Sequence, residues 1–250
     1  MIRKKEKLGG SHIRWIEFGA FKKMSFVFAG LVVKNSEGQS PVSENNWTDK
    51  FDDFLLVEGH LSNGIVTPKQ IHQDRIVSIK KQQKLRSKQN FPADGILTSQ
   101  ENLFVTVQVA DCVPIYIVDP KKKVVGLIHS GWRGTLMQIA KNAVDEARMN
   151  FGCSPKDLKV LLGPLIGKCC YEVTPEIAVL FPSSFVNYKP RSKPKLDLAG
   201  FIHAQLLESG VRKNNIFSVD ECTYCGPDFL CSYRKDENKK GRMLAFIGIK

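Results

Sequence analysis

The sequence has no apolar run long enough to cross a membrane, which takes about 18 to 20 consecutive apolar residues. Its longest apolar run near the N-terminus, Met24 to Val33, is too short for that and lies too far into the chain for a secretion signal. Residues 1–7 are basic, but no apolar core follows them. We therefore expect a cytoplasmic protein that has no membrane partner.

The pattern of cysteines lacks a disulfide framework. The seven cysteines are an odd number, and Cys112 and Cys153 stand alone. The others form two groups, Cys169-Cys170 and Cys222, Cys225, Cys231. In a reducing compartment such groups indicate metal binding or catalysis rather than disulfide bonds. One cysteine of the first group could complete a structural zinc site with the second. The spacing matches no known zinc finger, however, and we prefer packing or a nonessential thiol pair as the interpretation.

Basic residues are abundant, but no recognisable nucleic-acid-binding motif accompanies them. The formal net charge is +12 at pH 7. The basic stretches at residues 69–88 and 189–195 lack the interleaved aromatic side chains that stack on bases. We interpret them as solvated lysine faces and expect no nucleic-acid partner, whereas small phosphorylated ligands are compatible with the charge.

Length and hydrophobic patterning predict one α/β (α+β) domain over residues 1–250. A chain of this length can bury about 70–75% of its unfolded surface in a single core. Apolar runs predict strands at 76–79, 104–109, 159–163, 216–219 and 243–249. A helix begins near Thr135, where Thr135 and Gln138 have capping-box spacing, and ends at Gly152; further helices begin after Thr174 and Asp197. Residues 82–95 are an exposed connection. Strands and helices thus intermix in mixed sheets without a domain boundary.

Cys112 and His129 flank a predicted β-hairpin. Two β-branched apolar stretches surround the turn pair Asp119-Pro120. If the turn is centred on Pro120 and Lys121, two residues lie opposite each other on the two strands when their numbers sum to 241. Cys112 would then lie opposite His129. A thiolate beside an imidazole is a ligand set for zinc or copper. Without metal, the same two groups could form a thiolate–imidazolium pair.

A catalytic zinc site needs a third protein ligand and an open fourth position. The chain has only five histidines. His72, which directly precedes a strand-like run, is the best placed of them, although by spacing alone a structural role fits it better than a ligand role. An anion site is predicted next to His129, where Gly131 and Arg133 lie at the mouth of a helix, with Arg234 as a further contact. A glycine-rich turn around a packed tryptophan would give the same pattern.

Seven short motifs follow one another along the chain: Gln70-Ile71-His72; Ala93-Asp94-Gly95-Ile96-Leu97-Thr98; Ala110-Asp111-Cys112-Val113-Pro114; His129-Ser130-Gly131-Trp132-Arg133-Gly134-Thr135; residues 162–173; Cys222-Thr223-Tyr224-Cys225; and Ser232-Tyr233-Arg234-Lys235. In this order they resemble the laccase-domain (multicopper polyphenol oxidase-like) family, also called the purine nucleoside phosphorylase or peptidoglycan editing factor family. The resemblance covers residues 66–250, and seven ordered motifs are far more specific than any one of them.

The resemblance implies a single domain of mixed β-sheets packed together and flanked by helices. It implies a zinc ion held by His72, Cys112 and His129, and phosphorolysis of purine nucleosides (adenosine, inosine and methylthioadenosine), with deamination of adenosine as a second reaction. The partners would then be a purine nucleoside and phosphate. Copper fits less well, because five histidines cannot fill the sites of a multicopper oxidase.

Two other functions stay open. The resemblance also suggests a hydrolase that edits peptidoglycan precursors, with Cys112 as nucleophile or the metal as activator of water. The other alternative is that the chain is a basic nucleic-acid-binding protein with a structural metal. Deamination would need a carboxylate to transfer protons, for which Asp111 and Glu172 are the candidates. The N-terminal quarter departs from the family pattern: Phe26 to Leu31 lacks the expected arginine, and Asn45-Asn46-Trp47 stands where an Asn-Arg pair is usual. The oligomeric state is left open.

Overall fold

The computed structural model describes residues 4–8, 13–42, 46–81, 91–236 and 240–250. Asn45 and most of the predicted connection at 82–95, namely residues 82–90, lie outside this part. The end of that connection was predicted wrongly as exposed, because Ala93, Asp94 and Gly95 are buried where β6 begins. Fourteen strands are assigned: β1 Lys4–Leu8, β2 Arg14–Phe18, β3 Val27–Val32, β4 Gly64–Val66, β5 Ile76–Ile79, β6 Gly95–Thr98, β7 Leu103–Val109, β8 Val113–Asp119, β9 Val124–Ser130, β10 Lys159–Leu162, β11 Val186–Asn187, β12 Lys195–Leu196, β13 Ile216–Ser218 and β14 Met243–Ile249. The helices are α1 Trp47–Val57, α2 Trp132–Leu136, α3 Ile139–Phe151, α4 Pro175–Ala178 and α5 Leu198–Glu208.

Two six-stranded mixed sheets form the centre of the molecule. The first has the order β1-β2-β3-β14-β7-β4 and the second β13-β10-β8-β9-β6-β5. Both are antiparallel except where β4 joins β7, β5 joins β6 and β13 joins β10. The central strands β8, β9 and β14 are buried along their whole length. Their runs of apolar residues, without polar alternation, are typical of strands covered on both faces.

The core lies in three layers. Apolar side chains of both sheets face each other, among them Val107 and Ala245 from the first sheet and Tyr116 and Leu127 from the second. α3 and α5 cover the outer face of the second sheet, and α1 covers the outer face of the first. This confirms the predicted α/β architecture of packed mixed sheets flanked by helices. Within the described residues, no helix is long and apolar enough to span a bilayer.

The register of the β8–β9 hairpin differs from the prediction. Opposed residues sum to 243, so that Pro114 faces His129 and Asp119 faces Val124. The turn is longer than predicted because the Asp119 carboxylate accepts hydrogen bonds from the backbone N–H groups of Lys121 and Lys122, at 2.8 and 2.9 Å. Cys112 is therefore a diagonal neighbour of His129. A shift of two residues keeps a side chain on the same face of the sheet, because side chains alternate with a period of two.

The helix predicted to begin near Thr135 is two helices, and the predicted capping box is wrong. α2 ends at Leu136 and α3 begins at Ile139, separated by Gln138 in a left-handed conformation with φ +60°. The Thr135 hydroxyl donates back to the carbonyl of Gly131 at 2.9 Å instead of capping a helix. Two other predicted ends are confirmed: Gly152 closes α3 with φ +66°, and the Asp197 side chain caps α5.

Candidate metal centre and the cavity around it

Four strand ends of the second sheet meet at one edge. β5, β6 and β8 begin there and β9 ends there, because β5 and β6 are parallel whereas β9 is antiparallel to both β6 and β8. Four side chains with acid–base or ligand chemistry lie at these ends: His72, Asp94, Cys112 and His129. The topology thus brings together residues that are up to 57 positions apart in the sequence.

Asp94 holds His129 in a fixed orientation. Asp94 is fully buried and lies opposite His129, one step beyond the last paired residues of β6 and β9. Its backbone carbonyl accepts the His129 N–H at 2.7 Å, and its carboxylate lies 2.9 Å from Nδ1 of the same imidazole. When Nδ1 carries the proton for this bond, Nε2 is left with its lone pair. A carboxylate behind an imidazole in this way is common where the imidazole binds a metal.

The same carboxylate fixes His72. It accepts the backbone N–H groups of Ile71, His72 and Gln73 at 3.1, 3.0 and 2.8 Å. These bonds support the left-handed backbone of His72, at φ +57°, which a residue with a side chain adopts at a cost. The His72 ring packs edge-on against the His129 ring, with centroids 4.7 Å apart. One buried carboxylate therefore positions both imidazoles.

Cys112 completes the cluster. The ligand atoms of His72, Cys112 and His129 all lie within 4.8 Å of one another. Gly131 lies directly behind the thiol, and a Cβ at this position would come within 3.1 Å of the Cys112 Sγ. A side chain there would press on the cluster, which explains the glycine. An imidazole pair and one sulfur ligand at this separation could hold a single metal ion.

The electrostatics of the cluster favour a thiolate beside an imidazolium when no metal is bound. Burial alone would raise the pKa of the Cys112 thiol, but hydrogen bonds from His129 and His72 outweigh it and lower that pKa to about 6. Burial would likewise lower the pKa of His129, but its bonds to Asp94 and Cys112 raise that pKa to about 9. Near neutral pH the sulfur is therefore in the form that binds metals and attacks electrophiles.

A cavity of about 620 Å³ opens above the cluster. Three arginines line it, Arg133, Arg234 and Arg242. The rest of its wall comes from Gln70, Gln108, Ala110, Asp111, Trp132, Tyr171 and Tyr233. The guanidinium of Arg133 stacks over Trp132 at 4.4 Å, and that of Arg242 lies 5.3 Å from the centre of the Tyr233 ring. The cavity thus combines positive charge with flat aromatic surfaces.

A family model described as "Multi-copper polyphenol oxidoreductase laccase" matches residues 43–250. The chain belongs to this laccase-like family. It is 32% identical to "Purine nucleoside phosphorylase YlmD" of Geobacillus stearothermophilus over 258 residues, which cover 94% of each chain. It is 32% identical to the protein of the same name from Bacillus subtilis over 192 residues, 72% of this chain and 69% of that one.

Two solved structures show the same fold as this chain. The structure of "hypothetical protein YfiH" from Bacillus licheniformis matches with a TM-score of 0.84 at 26% identity, covering 98% of this chain and 99% of that one. The Geobacillus stearothermophilus YlmD structure matches with a TM-score of 0.83 at 28% identity, covering 94% and 96%. The resemblance seen in the seven motifs is confirmed, and the match to YfiH extends it over nearly the whole chain.

The structure brings most of the predicted site residues of this laccase-like chain to one place. His72, Cys112 and His129 form the cluster, and Arg133 and Arg234 line the cavity. The helix α2, which contains Arg133, has only five residues, which leaves little helix dipole at its N-terminus. The positive charge available to an anion therefore comes from side chains.

Asp111 is held on both of its carboxylate oxygens. Oδ1 accepts the hydroxyl of Thr223 at 2.6 Å, and Oδ2 accepts the backbone N–H of Arg234 at 2.8 Å. Its backbone has φ +82°, in the left-handed region. Asp111 thereby links the segment that carries Cys112 to the segment that carries Arg234.

Asp94 and Gln70 are two residues of the site to which sequence reasoning assigned no role. Asp94 stands in a quoted motif, but an acidic residue before a glycine also looks like ordinary turn chemistry. The role of Gln70 depends on a contact with a residue that is distant in the sequence. The Gln70 side chain exchanges two hydrogen bonds with the backbone of Gln108 across the cavity floor, at 2.8 and 2.9 Å. Only the spatial arrangement shows either role.

Proposed function

We propose that this protein is a zinc-dependent purine nucleoside phosphorylase. The observation that supports it most is the His72–Cys112–His129 cluster on the floor of a cavity lined by three arginines. The relatives named above, which are described as purine nucleoside phosphorylases, support the same reaction class. Adenosine, inosine and methylthioadenosine are the proposed nucleosides.

The donor set fits zinc better than a group of copper ions. Two imidazoles and a thiolate are three ligands of the kinds that zinc takes, and the cavity leaves a fourth position open to substrate or water. The buried carboxylate of Asp94 supplies the supporting hydrogen bond that zinc-bound imidazoles need. When bound, zinc would supply Lewis acidity at this point of the cavity.

The arginines of the cavity would bind the phosphate that takes part in the proposed reaction. In phosphorolysis a phosphate oxygen bonds to C1′ of the ribose while the bond from C1′ to the purine nitrogen breaks, and its electron pair leaves with the base. Arg133 and Arg234 would neutralise and orient the phosphate, since a planar guanidinium binds such oxygens with paired hydrogen bonds. Tyr171 and Tyr233 offer flat surfaces on which a purine can stack.

Deamination of adenosine is proposed as a second reaction of the same cavity. It needs a group that transfers protons to the leaving amine. Of the two candidate carboxylates, Asp111 lines the cavity and Glu172 does not, so Asp111 is the proposed group, with its oxygens oriented by the Thr223 hydroxyl and the Arg234 N–H. Cys112, His72 and His129 are the other proposed catalytic groups, together with the metal that they would hold.

A peptidoglycan-precursor hydrolase is the second candidate, and one observation favours it. The Cys112 thiol, whose pKa is lowered to about 6 beside His129, would be a competent nucleophile if no metal occupied the cluster. Metal-free protein that hydrolyses cell-wall precursors faster than the zinc-loaded form would support this alternative.

Product analysis tests the proposal. Purified protein loaded with zinc is incubated with adenosine, inosine or methylthioadenosine, with and without phosphate. We expect release of the free base together with the sugar 1-phosphate, and only when phosphate is present. Base release without phosphate would indicate a hydrolase. If no base is released or deaminated, and His72→Ala changes stability alone, the nucleoside proposal is wrong.

A further inference from the structure

We propose that Cys169, Cys170, Cys222 and Cys225 form a second, structural zinc site on the side of the molecule next to the cavity. The four sulfur atoms all lie within 4.8 Å of one another. Cys169 and Cys225 are exposed and the other two are half-buried, so the site would lie at the surface. It does not depend on the proposed reaction, because none of these cysteines lines the cavity.

The separation of the Cys169 and Cys225 sulfurs fits a tetrahedral ion and not a disulfide. The Sγ atoms of Cys169 and Cys225 are 3.7 Å apart. Four sulfurs at about 2.3 Å from a tetrahedral zinc lie about 3.8 Å from one another. A disulfide would need about 2.05 Å, and all four cysteines are free. The Cys169 and Cys225 sulfurs therefore already lie at nearly the spacing that the ion requires, and all four sulfurs lie within 4.8 Å of one another.

Two tight turns present the cysteines in pairs. In the first, the backbone N–H of Cys170 donates to the carbonyl of Gly167 at 2.9 Å. In the second, the backbone N–H of Gly226 donates to the carbonyl of Cys222 at 2.8 Å. A Cβ on Gly226 would collide with that carbonyl oxygen, so this turn requires glycine. A Cys-x-x-Cys turn closed by glycine holds its two sulfurs on one side.

Backbone N–H groups favour the ionised form of the Cys222 sulfur, whereas burial and the neighbouring thiols raise the pKa values of Cys169 and Cys170 when no cation lies among them. The backbone N–H of Gly167 points at the Cys222 Sγ, 3.2 Å away. The Lys195 ammonium donates to the carbonyl of Cys169 at 2.5 Å, which places a positive charge beside the cluster. Four thiolates this close together would repel one another strongly unless a cation lay among them. With all four positions filled by protein, the bound ion would have no open position for catalysis.

The position of the site indicates what it would stabilise. An isolated β-bridge pairs Leu165 with Cys222, and the Thr223 N–H donates to the Leu165 carbonyl at 2.9 Å. Thr223 in turn donates its hydroxyl to Asp111, which precedes Cys112. The first turn leads directly into Tyr171 of the cavity wall. A zinc ion would therefore fasten two loops that form one side of the cavity. Cys231, which the spacing had placed in this group, lies buried in the core instead.

Metal analysis of the purified full-length chain tests the site. We expect about two zinc ions per chain in the wild type and about one in both Cys225→Ser and Cys112→Ala, because each variant loses a different three- or four-ligand site. Cys153→Ala, a buried cysteine outside both clusters, is the matched control and should keep both ions. A single zinc that disappears in Cys112→Ala and persists in Cys225→Ser would overturn the proposal.

Cobalt substitution keeps the test decisive if Cys225→Ser does not fold. The Cys112→Ala variant is stripped of metal and reloaded with Co²⁺, and the expected result is the intense visible absorption of tetrahedral cobalt bound by thiolates. Absence of that absorption would overturn the proposal. So would a disulfide between Cys169 and Cys225, detected by alkylation and mass spectrometry of protein purified under anaerobic conditions.

Discussion

Replacing Asp94 with asparagine should weaken metal binding by the cluster strongly, although the two side chains have nearly the same size. Asparagine has nearly the same shape, but it carries no charge and only one of its two terminal groups accepts hydrogen bonds. In the wild type, one carboxylate oxygen serves the N–H of His72 and Nδ1 of His129, while the other serves Ile71 and Gln73. Whichever way the amide turns, two hydrogen-bond donors face an NH₂ group.

Both orientations of the amide damage the site, and each does so differently. With the amide oxygen toward His129, the N–H groups of Ile71 and Gln73 lose their acceptor, and the turn that holds His72 loosens. With the NH₂ toward His129, Nδ1 must become an acceptor, which moves the proton to Nε2 and blocks the atom that would bind metal. A bond to a charged acceptor contributes about 1.5–3 kcal/mol, so losing the two bonds from Ile71 and Gln73 should lower the free energy of unfolding by about 3–6 kcal/mol.

Two measurements check this prediction. Denaturant unfolding of metal-free protein gives the stability, and competition with a chelating dye gives the zinc affinity, which we expect to fall about 10–100-fold at the first site. Asp119→Asn is the control, because Asp119 is equally buried but accepts both of its backbone bonds on one oxygen, far from the cluster. Equal effects of the two variants on zinc affinity, or unchanged affinity in Asp94→Asn, would refute the role assigned to Asp94.

Three further predictions follow from the same geometry. In metal-free protein, alkylation of Cys112 should be half-maximal near pH 6 and slow below it, because only the thiolate reacts and its pKa is lowered to about 6; a rate that rises only near pH 9 would contradict this. Gly131→Ala should lower zinc affinity with little loss of stability, since its Cβ would press on the Cys112 sulfur; Gly152→Ala, where a Cβ meets nothing within 4 Å, is a control for metal binding and should leave the affinity unchanged. Arg133→Ala should raise the KM for phosphate more than the KM for nucleoside, measured by initial rates, whereas equal increases would place this arginine elsewhere in the reaction.

Sequence reasoning located the two hairpin residues of the cluster in spite of a wrong register. The predicted turn was too short by two residues, and an error of one would have sent Cys112 to the opposite face of the sheet. The period of two in a strand made the larger error harmless. His72, the third member of the cluster, was predicted only through the family resemblance, because its spacing alone favoured a structural role.

The rest of the site depends on contacts that no local pattern encodes. Parallel pairing of β5 with β6 places Asp94 between His72 and His129, and such pairing has no short turn to reveal it in the sequence. The partners of the clustered cysteines could not be predicted from local sequence patterns either. Spacing suggested Cys231 as a partner of Cys222 and Cys225, yet the bridge between Leu165 and Cys222 brings Cys169 and Cys170 instead and leaves Cys231 in the core.

The two clusters share one side of the molecule, and the route between them is short. Cys222 is followed by Thr223, whose hydroxyl donates a hydrogen bond to the Asp111 carboxylate. That carboxylate also accepts the backbone N–H of Arg234, and Asp111 directly precedes Cys112. Loss of the second metal would release the Thr223 loop and thereby the anchor of both an arginine and a sulfur ligand. Cys225→Ser should therefore raise the KM for phosphate even with the first site loaded. A Cys225→Ser variant that lacks one zinc but keeps wild-type kinetics would show that the four-cysteine site stabilises its loops without shaping the cavity.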